Sequence, residues 1–263
     1  MGYSTAEACY VFDTGFSDEE ERLRLGELLW DPGTADRLGA LGVGPGWSCL
    51  EAGAGRGSIA AWLADRGAQV VATDLRADRL RHLTGRGVTV LAHDLLSDAP
   101  PAGGFDLVHA RLVMQHLPAR AEVTARLAAA LRPGGVLVLE DTDTASLFSH
   151  PDREGFLGRA KRAAYRTMAV AGYDPRCGLR DAALLTGAGL VDVRTEARAH
   201  VVTGGTPQSR WYALWLRHLA PAMLGAGDLE AHELDAALAE LDDPANSWLS
   251  QVMISASARR PAP

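Results

Sequence analysis

The chain has 263 residues, of which 47% are hydrophobic and 22% charged, ordinary values for one large domain with ample core or one domain with a lid. Its net charge of -7 argues against a sequence-independent nucleic-acid binder, which needs a basic surface. No apolar run reaches membrane-spanning length, no signal-peptide pattern opens the chain, and Cys9, Cys49 and Cys177 form no CxxC pair, so we expect a cytoplasmic protein without a disulfide framework, structural zinc or membrane partner.

Along the chain, Ser17-Asp18-Glu19-Glu20 reads as a capping box opening a helix to about Trp30. Asp31-Pro32-Gly33 should break it, and Thr34 should start a short helix ending near Leu41. Strands and helices then alternate. Short β-branched runs predict strands at 47–51, 68–73, 88–93, 105–110 and 135–141, and helical spacing predicts helices at 58–66, 77–84 and 120–131. Strands that are apolar on both faces belong in a buried parallel sheet with helices on both sides. Further on, helices are expected at 153–171, 180–187, 207–223 and 228–241, and strands at 191–202 and 248–258.

The most informative stretch is Glu51-Ala52-Gly53-Ala54-Gly55-Arg56-Gly57, a strand end followed by a glycine turn into a helix. Glycine permits the tight turn and lets a ligand lie against the backbone, where the N–H groups of the first helical turn face it. The second strand ends at Asp74, where a carboxylate is placed to accept both hydroxyls of a ribose. A dinucleotide fingerprint would place its third glycine at position 58, but Ser58 stands there and Gly57 comes one residue early, which disfavours a nicotinamide dehydrogenase.

The pattern E-x-G-x-G-x-G resembles motif I of class I S-adenosylmethionine-dependent methyltransferases. Phe105-Asp106-Leu107-Val108 resembles the family's fourth motif. Met114-Gln115-His116-Leu117-Pro118 and Leu131-Arg132-Pro133-Gly134-Gly135-Val136 are similar to segments of the small-molecule methyltransferases of ubiquinone and menaquinone biosynthesis. The resemblance covers about residues 45–258 and implies an α/β, Rossmann-like, seven-stranded and mostly parallel sheet, its last strand inserted antiparallel between the fifth and sixth. It also implies S-adenosyl-L-methionine as cofactor and S-adenosyl-L-homocysteine as product. The organisation would be a helical cover at 1–44, a cofactor-binding core at 45–141, a lid insertion at 142–178, and the rest of the core at 179–263 with a helical insertion at 203–247.

By position, the cofactor contacts would be Tyr10, Glu51, Gly53, Gly55, Gly57, Asp74, Leu75, Asp94, Leu95, Ala110 and Arg111. Asp94 has the alternative of capping its own turn. Tyr10 belongs to an aromatic cluster with Tyr3, Phe12 and Phe16 that either covers the sulfonium or anchors a helix. His116 and Asp141 are the candidate catalytic groups, ahead of His109, Arg111 and Glu140. Glu140, Asp141 and Asp143 are spaced acids, but further metal-ligating acids are not identifiable, so no metal is expected. The basic side of 153–171, with Arg153, Arg159, Lys161, Arg162 and Arg166, is either a solvated face or a recognition surface for an acidic or phenolate group. The stripe Trp211, Trp215, Leu219, Met223 is either core or an apolar lid over a flat substrate.

These features give a methyltransferase acting on a small-molecule acceptor, aromatic or polyketide-like, with oxygen favoured over nitrogen or carbon, as a monomer or homodimer. One lysine against 25 arginines suggests a GC-rich bacterium, and the implied setting is specialised metabolism. The rival readings are a cyclase or pericyclase on the same fold and a non-catalytic cofactor-binding protein.

Overall fold

Apolar runs bounded by glycine turns become the strands β1 (Ser48–Ala52), β2 (Gln69–Asp74), β3 (Val88–Ala92), β4 (Phe105–Arg111) and β5 (Leu131–Asp143). The second half adds β6 (Val191–Arg198), β7 (Val201–Thr203), β8 (Ser247–Leu249) and β9 (Val252–Arg259). The structure, a computed structural model, describes residues 12, 15–149 and 155–262. Seven strands form one sheet in the order β3-β2-β1-β4-β5-β9-β6. β1 to β5 pair in parallel, and β9 runs antiparallel between β5 and β6. This is the order the family resemblance implies. The chain leaves β1 towards β2 on one side and returns to β4 on the other, which opens a crevice at the carboxyl ends of these strands.

Alternate residues of each strand feed two cores, as the two-residue period requires. On one face Cys49, Val70, Leu107 and Val138 pack under α1 (Glu19–Ala40) and α2 (Ser58–Asp65). On the other, Leu50, Val108 and Leu139 pack under α3 (Arg120–Ala130) and, beyond α4 (Phe156–Val170), under α5 (Asp181–Gly187). A third apolar cluster joins Leu25, Leu29 and Trp30 of α1 to α4, α6 (Pro207–Gly225) and α7 (Ala231–Asp242). It roofs the carboxyl edge of the sheet. None of the described helices is long and apolar enough to cross a membrane.

Four local expectations change. The helix over 19–40 is continuous through Pro32, because Asp31 and Thr34 beside it are hydrogen-bonded to Arg111 and Gly33 leaves room for Arg198. The backbone bond that Pro32 forfeits belongs to Leu28, which is 49% exposed, so water can satisfy that carbonyl. Ser17 is not the cap: the helix starts after Asp18 without a side-chain cap, and Glu20 faces Arg56 and Arg79 instead. Residues 77–83 form a 3-10 helix. The two late strands each split, at 199–200 and 250–251, where Ser250 and His200 exchange hydrogen bonds and Gln251 turns to the Tyr212 hydroxyl.

Gly57 explains how α2 reaches the sheet. Its φ is +85°, and an added Cβ would overlap Leu83 and stand 2.8 Å from Leu80 Cδ2. Replacing it with alanine therefore combines overpacking with a left-handed backbone and should cost about 2–3 kcal/mol. Urea unfolding of Gly57→Ala would measure this as a lower midpoint at unchanged slope.

Candidate active site

The crevice is a cavity of about 280 Å³ at the carboxyl ends of β1, β2 and β4, under the α1 roof. One end is built from the glycine turn. Gly53, with φ +70°, must be glycine because a Cβ would stand 2.5 Å from Val113 Cγ2. Gly55, with φ +59°, has nothing within 4 Å of that position, so its backbone is open to a ligand. Asp74 closes the turn: its Oδ2 accepts the Gly55 N–H at 2.8 Å and its Oδ1 the Arg76 N–H at 2.8 Å. Each oxygen keeps a second lone pair for ligand hydroxyls.

Leu75 beside it is 57% exposed, an apolar side chain left at the mouth of the crevice. Asp94 and Leu95 line the same end. Asp94 also caps its turn, accepting from the Leu96 N–H at 2.8 Å and the Ser97 hydroxyl at 3.2 Å. Capping the turn thus does not take Asp94 away from the cavity wall.

Glu51, Arg111 and His116 also line the cavity. Arg111 donates to Asp31 Oδ1 at 2.6 Å and to Thr34 Oγ1 at 3.0 Å, which ties the roof to β4. Ser58 donates to the same Asp31 oxygen at 3.2 Å, so α1 is tied to the turn as well. Two expected cofactor contacts, Gly57 and Ala110, and one candidate catalytic group, Asp141, do not face the cavity. Gly57 packs on Leu80 and Leu83, and Ala110 is buried in the core under α3. Asp141 lies on the far side of β5, because its neighbours Glu140 and Thr142 face the roof and successive strand side chains alternate. Tyr3, Tyr10 and Arg153 lie outside the described residues.

The electrostatic centre is a residue the sequence reading placed only among lesser candidates. His109 is fully buried in β4, its Nδ1 2.7 Å from Glu51 Oε2 and its Nε2 3.4 Å from Glu140 Oε2. Burial alone would discharge it, but the charge of Glu51 and the hydrogen bonds to both acids win, and its pKa is raised to about 9. Burial would likewise raise Glu140, yet His109, Arg198 and Arg111 hold it well below the usual carboxylate range. Thr34 and Ser255 hydroxyls also bond Glu140, and Arg198 donates to it at 2.8 Å. The available signal was three charged or polar residues, Glu51, His109 and Glu140, set into apolar runs of three adjacent strands.

The other end of the cavity is aromatic. Phe12, Tyr165, Tyr173, Trp211, Tyr212 and Trp215 line it. His116 meets Phe12 edge-on at 5.8 Å and Tyr173 at 5.0 Å. Burial, aided by the Arg22 charge, lowers the His116 pKa to about 3, so the ring is neutral. Glu19 and Arg22 form a buried bidentate pair at 2.7 and 2.8 Å, which cancels the charge at this end. Burial would raise Glu19, but Arg22 and His218 hold it at about 2.

Trp211 and Trp215 thus serve the cavity, while Leu219 and Met223 of the same stripe serve the core. The basic residues of α4 do not line it. Arg159 pairs with Glu233, Arg166 with Asp228, and Lys161 donates to the carbonyls of Ala145 and Leu147. Nor do the spaced acids of β5 converge: Glu140 faces His109, and Asp143 pairs with Arg176 at 2.8 Å.

A family model described as a methyltransferase domain matches residues 20–176, more than half of the chain, and the chain belongs to that family. It is 34% identical to methyltransferase str2 of Strobilurus tenacellus over 132 residues, 49% of this chain and 48% of that protein. It is 32% identical to methyltransferase str3 of the same organism over 133 residues, 48% of each. The match therefore spans about half the length of these curated relatives. Phosphoethanolamine N-methyltransferase 2 of Haemonchus contortus, solved with phosphomonomethylethanolamine and S-adenosylhomocysteine, superposes with a TM-score of 0.61 at 17% identity over 98% of this chain and 61% of its own. The YcgJ protein of Bacillus subtilis gives 0.55 at 16% identity over 88% and 100%. At these identities the likeness is one of fold.

Removing His109 would leave two buried carboxylates facing each other. His109→Leu should cost about 3–5 kcal/mol near neutral pH, read from chemical unfolding. Because the folded pKa lies above the unfolded value, this stabilisation is complete below about pH 6.5 and lost as pH rises through about 9. The stability gap between wild type and variant should close over that window.

Proposed function

We propose that the chain binds S-adenosylmethionine at the glycine end of the cavity and transfers its methyl group to a small, flat, uncharged acceptor at the aromatic end, with oxygen the favoured acceptor atom. The observation that carries this is the segment 112–117, which touches both ends: Val113 packs on Gly53 while His116 packs on Phe12 and Tyr173. The residues fit the cofactor. Gly55 offers an open backbone, Asp74 spare acceptor capacity for ribose hydroxyls, and Leu75 and Leu95 apolar surface for a base.

When bound, S-adenosylmethionine supplies a methyl carbon already activated by its sulfonium. The protein has then only to orient the nucleophile and exclude water. Tyr165, Tyr173, Trp211 and Trp215 exclude water and accept a flat ring. Neutral His116, its Nε2 3.4 Å from the Gln115 amide nitrogen, is held with its ring edge toward the acceptor and so aims the oxygen. With a pKa near 3 it orients rather than stores a proton, and any proton released passes to solvent. Glu51 keeps one oxygen on His109, which leaves the other for the cationic end of the cofactor. Arg111 is committed to Asp31 and Thr34 and holds the roof down.

Incubation with S-adenosylmethionine and a panel of hydroxylated aromatics should give products heavier by one CH2, together with S-adenosylhomocysteine. A product isomeric with its substrate would instead indicate the cyclase reading. Calorimetry should show Asp74→Ala weakening S-adenosylhomocysteine binding about tenfold or more, the worth of a charge-assisted hydrogen bond. An unchanged affinity would remove Asp74 from the ribose site. His116→Ala should lower kcat about tenfold or more at unchanged cofactor affinity. Because His116 is uncharged above about pH 3, the wild-type rate profile should lack a limb near pH 6.5.

A further inference from the structure

Behind the cleft wall, on the far face of β5, three fully buried side chains meet: Asp141, Cys177 and Asp181, each with an atom within 4.8 Å of the others. Asp141 Oδ1 accepts the Gln115 N–H at 3.1 Å, and the Cys177 thiol lies 3.8 Å from Asp181 Oδ1. The second oxygen of each carboxyl, Asp141 Oδ2 and Asp181 Oδ2, is buried with no hydrogen-bond partner. Two anions in such a place would be very costly. Arg120 of α3 faces the pair, but its guanidinium donates to the carbonyls of Met114 and Gly172, at 3.3 and 3.2 Å. Among the described residues, the further ionisable neighbours are Glu140 on β5 and Tyr173, Asp174 and Cys177 ahead of α5, none of them a cation. One proton held between the two carboxyls, whose atoms lie within 4.8 Å of each other, resolves the conflict by leaving a single anion to face Arg120.

We propose that Asp141 and Asp181 hold one proton between them, and that Asp181 thereby acts as a positioning residue for the cleft wall. Asp141 holds the backbone of Gln115. The Gln115 side-chain carbonyl in turn accepts from the Thr142 N–H at 3.2 Å and the Thr142 hydroxyl at 2.9 Å, and Gln115, His116 and Thr142 all line the cavity. Losing the shared proton would place two like charges directly under this segment. The pKa directions agree with the geometry. Burial raises the pair above the usual carboxylate range: at Asp181 the facing Asp141 adds to it, and at Asp141 it outweighs the pull of the Gln115 and Met114 N–H groups and Arg120.

The sign follows from linkage. An unfolded Asp releases its proton near pH 4, whereas the folded pair retains one, so stability falls as pH rises from about 4 through the folded pKa values. Asp181→Asn keeps the geometry with a permanent donor: its amide N–H bonds Asp141 and its carbonyl accepts the thiol. The melting temperature of this variant should match wild type within about 1 °C at pH 5 and exceed it by about 3 °C or more at pH 9. His109 titrates near pH 9 on the opposite face in both proteins and cancels from the difference.

Asp141→Asn should flatten the same curve, and difference infrared spectroscopy of the wild type at pH 6 should show one protonated carboxyl that Asp181→Asn removes. These readouts do not depend on catalysis, so they stand or fall apart from the proposed methyl transfer. The positioning role does rest on that reading. For it, the alkaline limb of kcat should move up by about one pH unit or more in Asp181→Asn at unchanged KM for S-adenosylmethionine. Parallel melting curves for wild type and both variants, absence of the protonated carboxyl, or an equimolar metal ion in the wild type lost in Asp181→Asn would each overturn the proposal.

Discussion

A buried cation held between two buried anions is the constraint on which this structure turns. His109 has no water to fall back on, so its charge persists only while Glu51 and Glu140 stand beside it. The three residues sit on the adjacent strands β1, β4 and β5, and each anchors something different. Glu51 leads into the glycine turn. Glu140 gathers Thr34 from the roof, Arg198 from β6 and Ser255 from β9. With Arg198 included, two cations face two anions, and the group is neutral as a whole. Such a group adds little net stability over an apolar core but penalises every mispairing severely. Here it fixes together the strand ends that bear the cavity and the roof that covers it.

The roof itself is held mainly by apolar area. Arg56 pairs with Glu20 and Glu27, and Arg24 with Glu21, but these contacts are exposed or half-exposed and weigh little individually. Leu25, Leu29 and Trp30 are almost fully buried against the α4, α6 and α7 cluster. The polar ties from Asp31 and Thr34 then set orientation rather than strength. Pro32 and Gly33 fit the same logic. The helix tolerates a proline where its forfeited bond faces water, and a glycine where Arg198 must pass to reach Glu140.

What was legible in the sequence was whatever depended on local chemistry. The glycine turn, Asp74 at a strand tip, the alternation of strands with helices and the Pro-Gly-Gly irregularity near the start of β5 each follow from one short segment. The last of these has a steric reason, since a Cβ on Gly135 would stand 2.6 Å from the Phe105 carbonyl oxygen. What was not legible depended on partners distant in the chain. Asp141 reads as a cleft residue until the register of β5 sends Glu140 and Thr142 to the roof side. Gly57 reads as a ligand-facing glycine until Leu80 and Leu83 occupy its open side. Ser17 and Glu20 spell a capping box, yet Arg56 and Arg79, far along the chain, claim Glu20. His109 sits inside an apolar strand, and its charge is not legible there because its two acids lie 58 and 31 residues away.

The charge balance of the cavity bears on what kind of reaction suits it. At the aromatic end the ionised groups Glu19 and Arg22 neutralise each other through a bidentate bond, and His116 is kept neutral by burial. What remains to meet a ligand there is ring surface, the amides of Gln115 and Gln251 and the hydroxyls of Thr142 and the tyrosines. Among the described residues that line it, none is a ready base. A reaction that must create a nucleophile by deprotonation, or stabilise a new buried anion, would be poorly served. A displacement in which a positive charge passes, dispersed, from sulfur to an uncharged acceptor is served well, because dispersing charge becomes easier as the surroundings become less polar. The neutrality of the aromatic end, no less than the glycine turn, therefore supports the proposed transfer from a sulfonium to an uncharged acceptor.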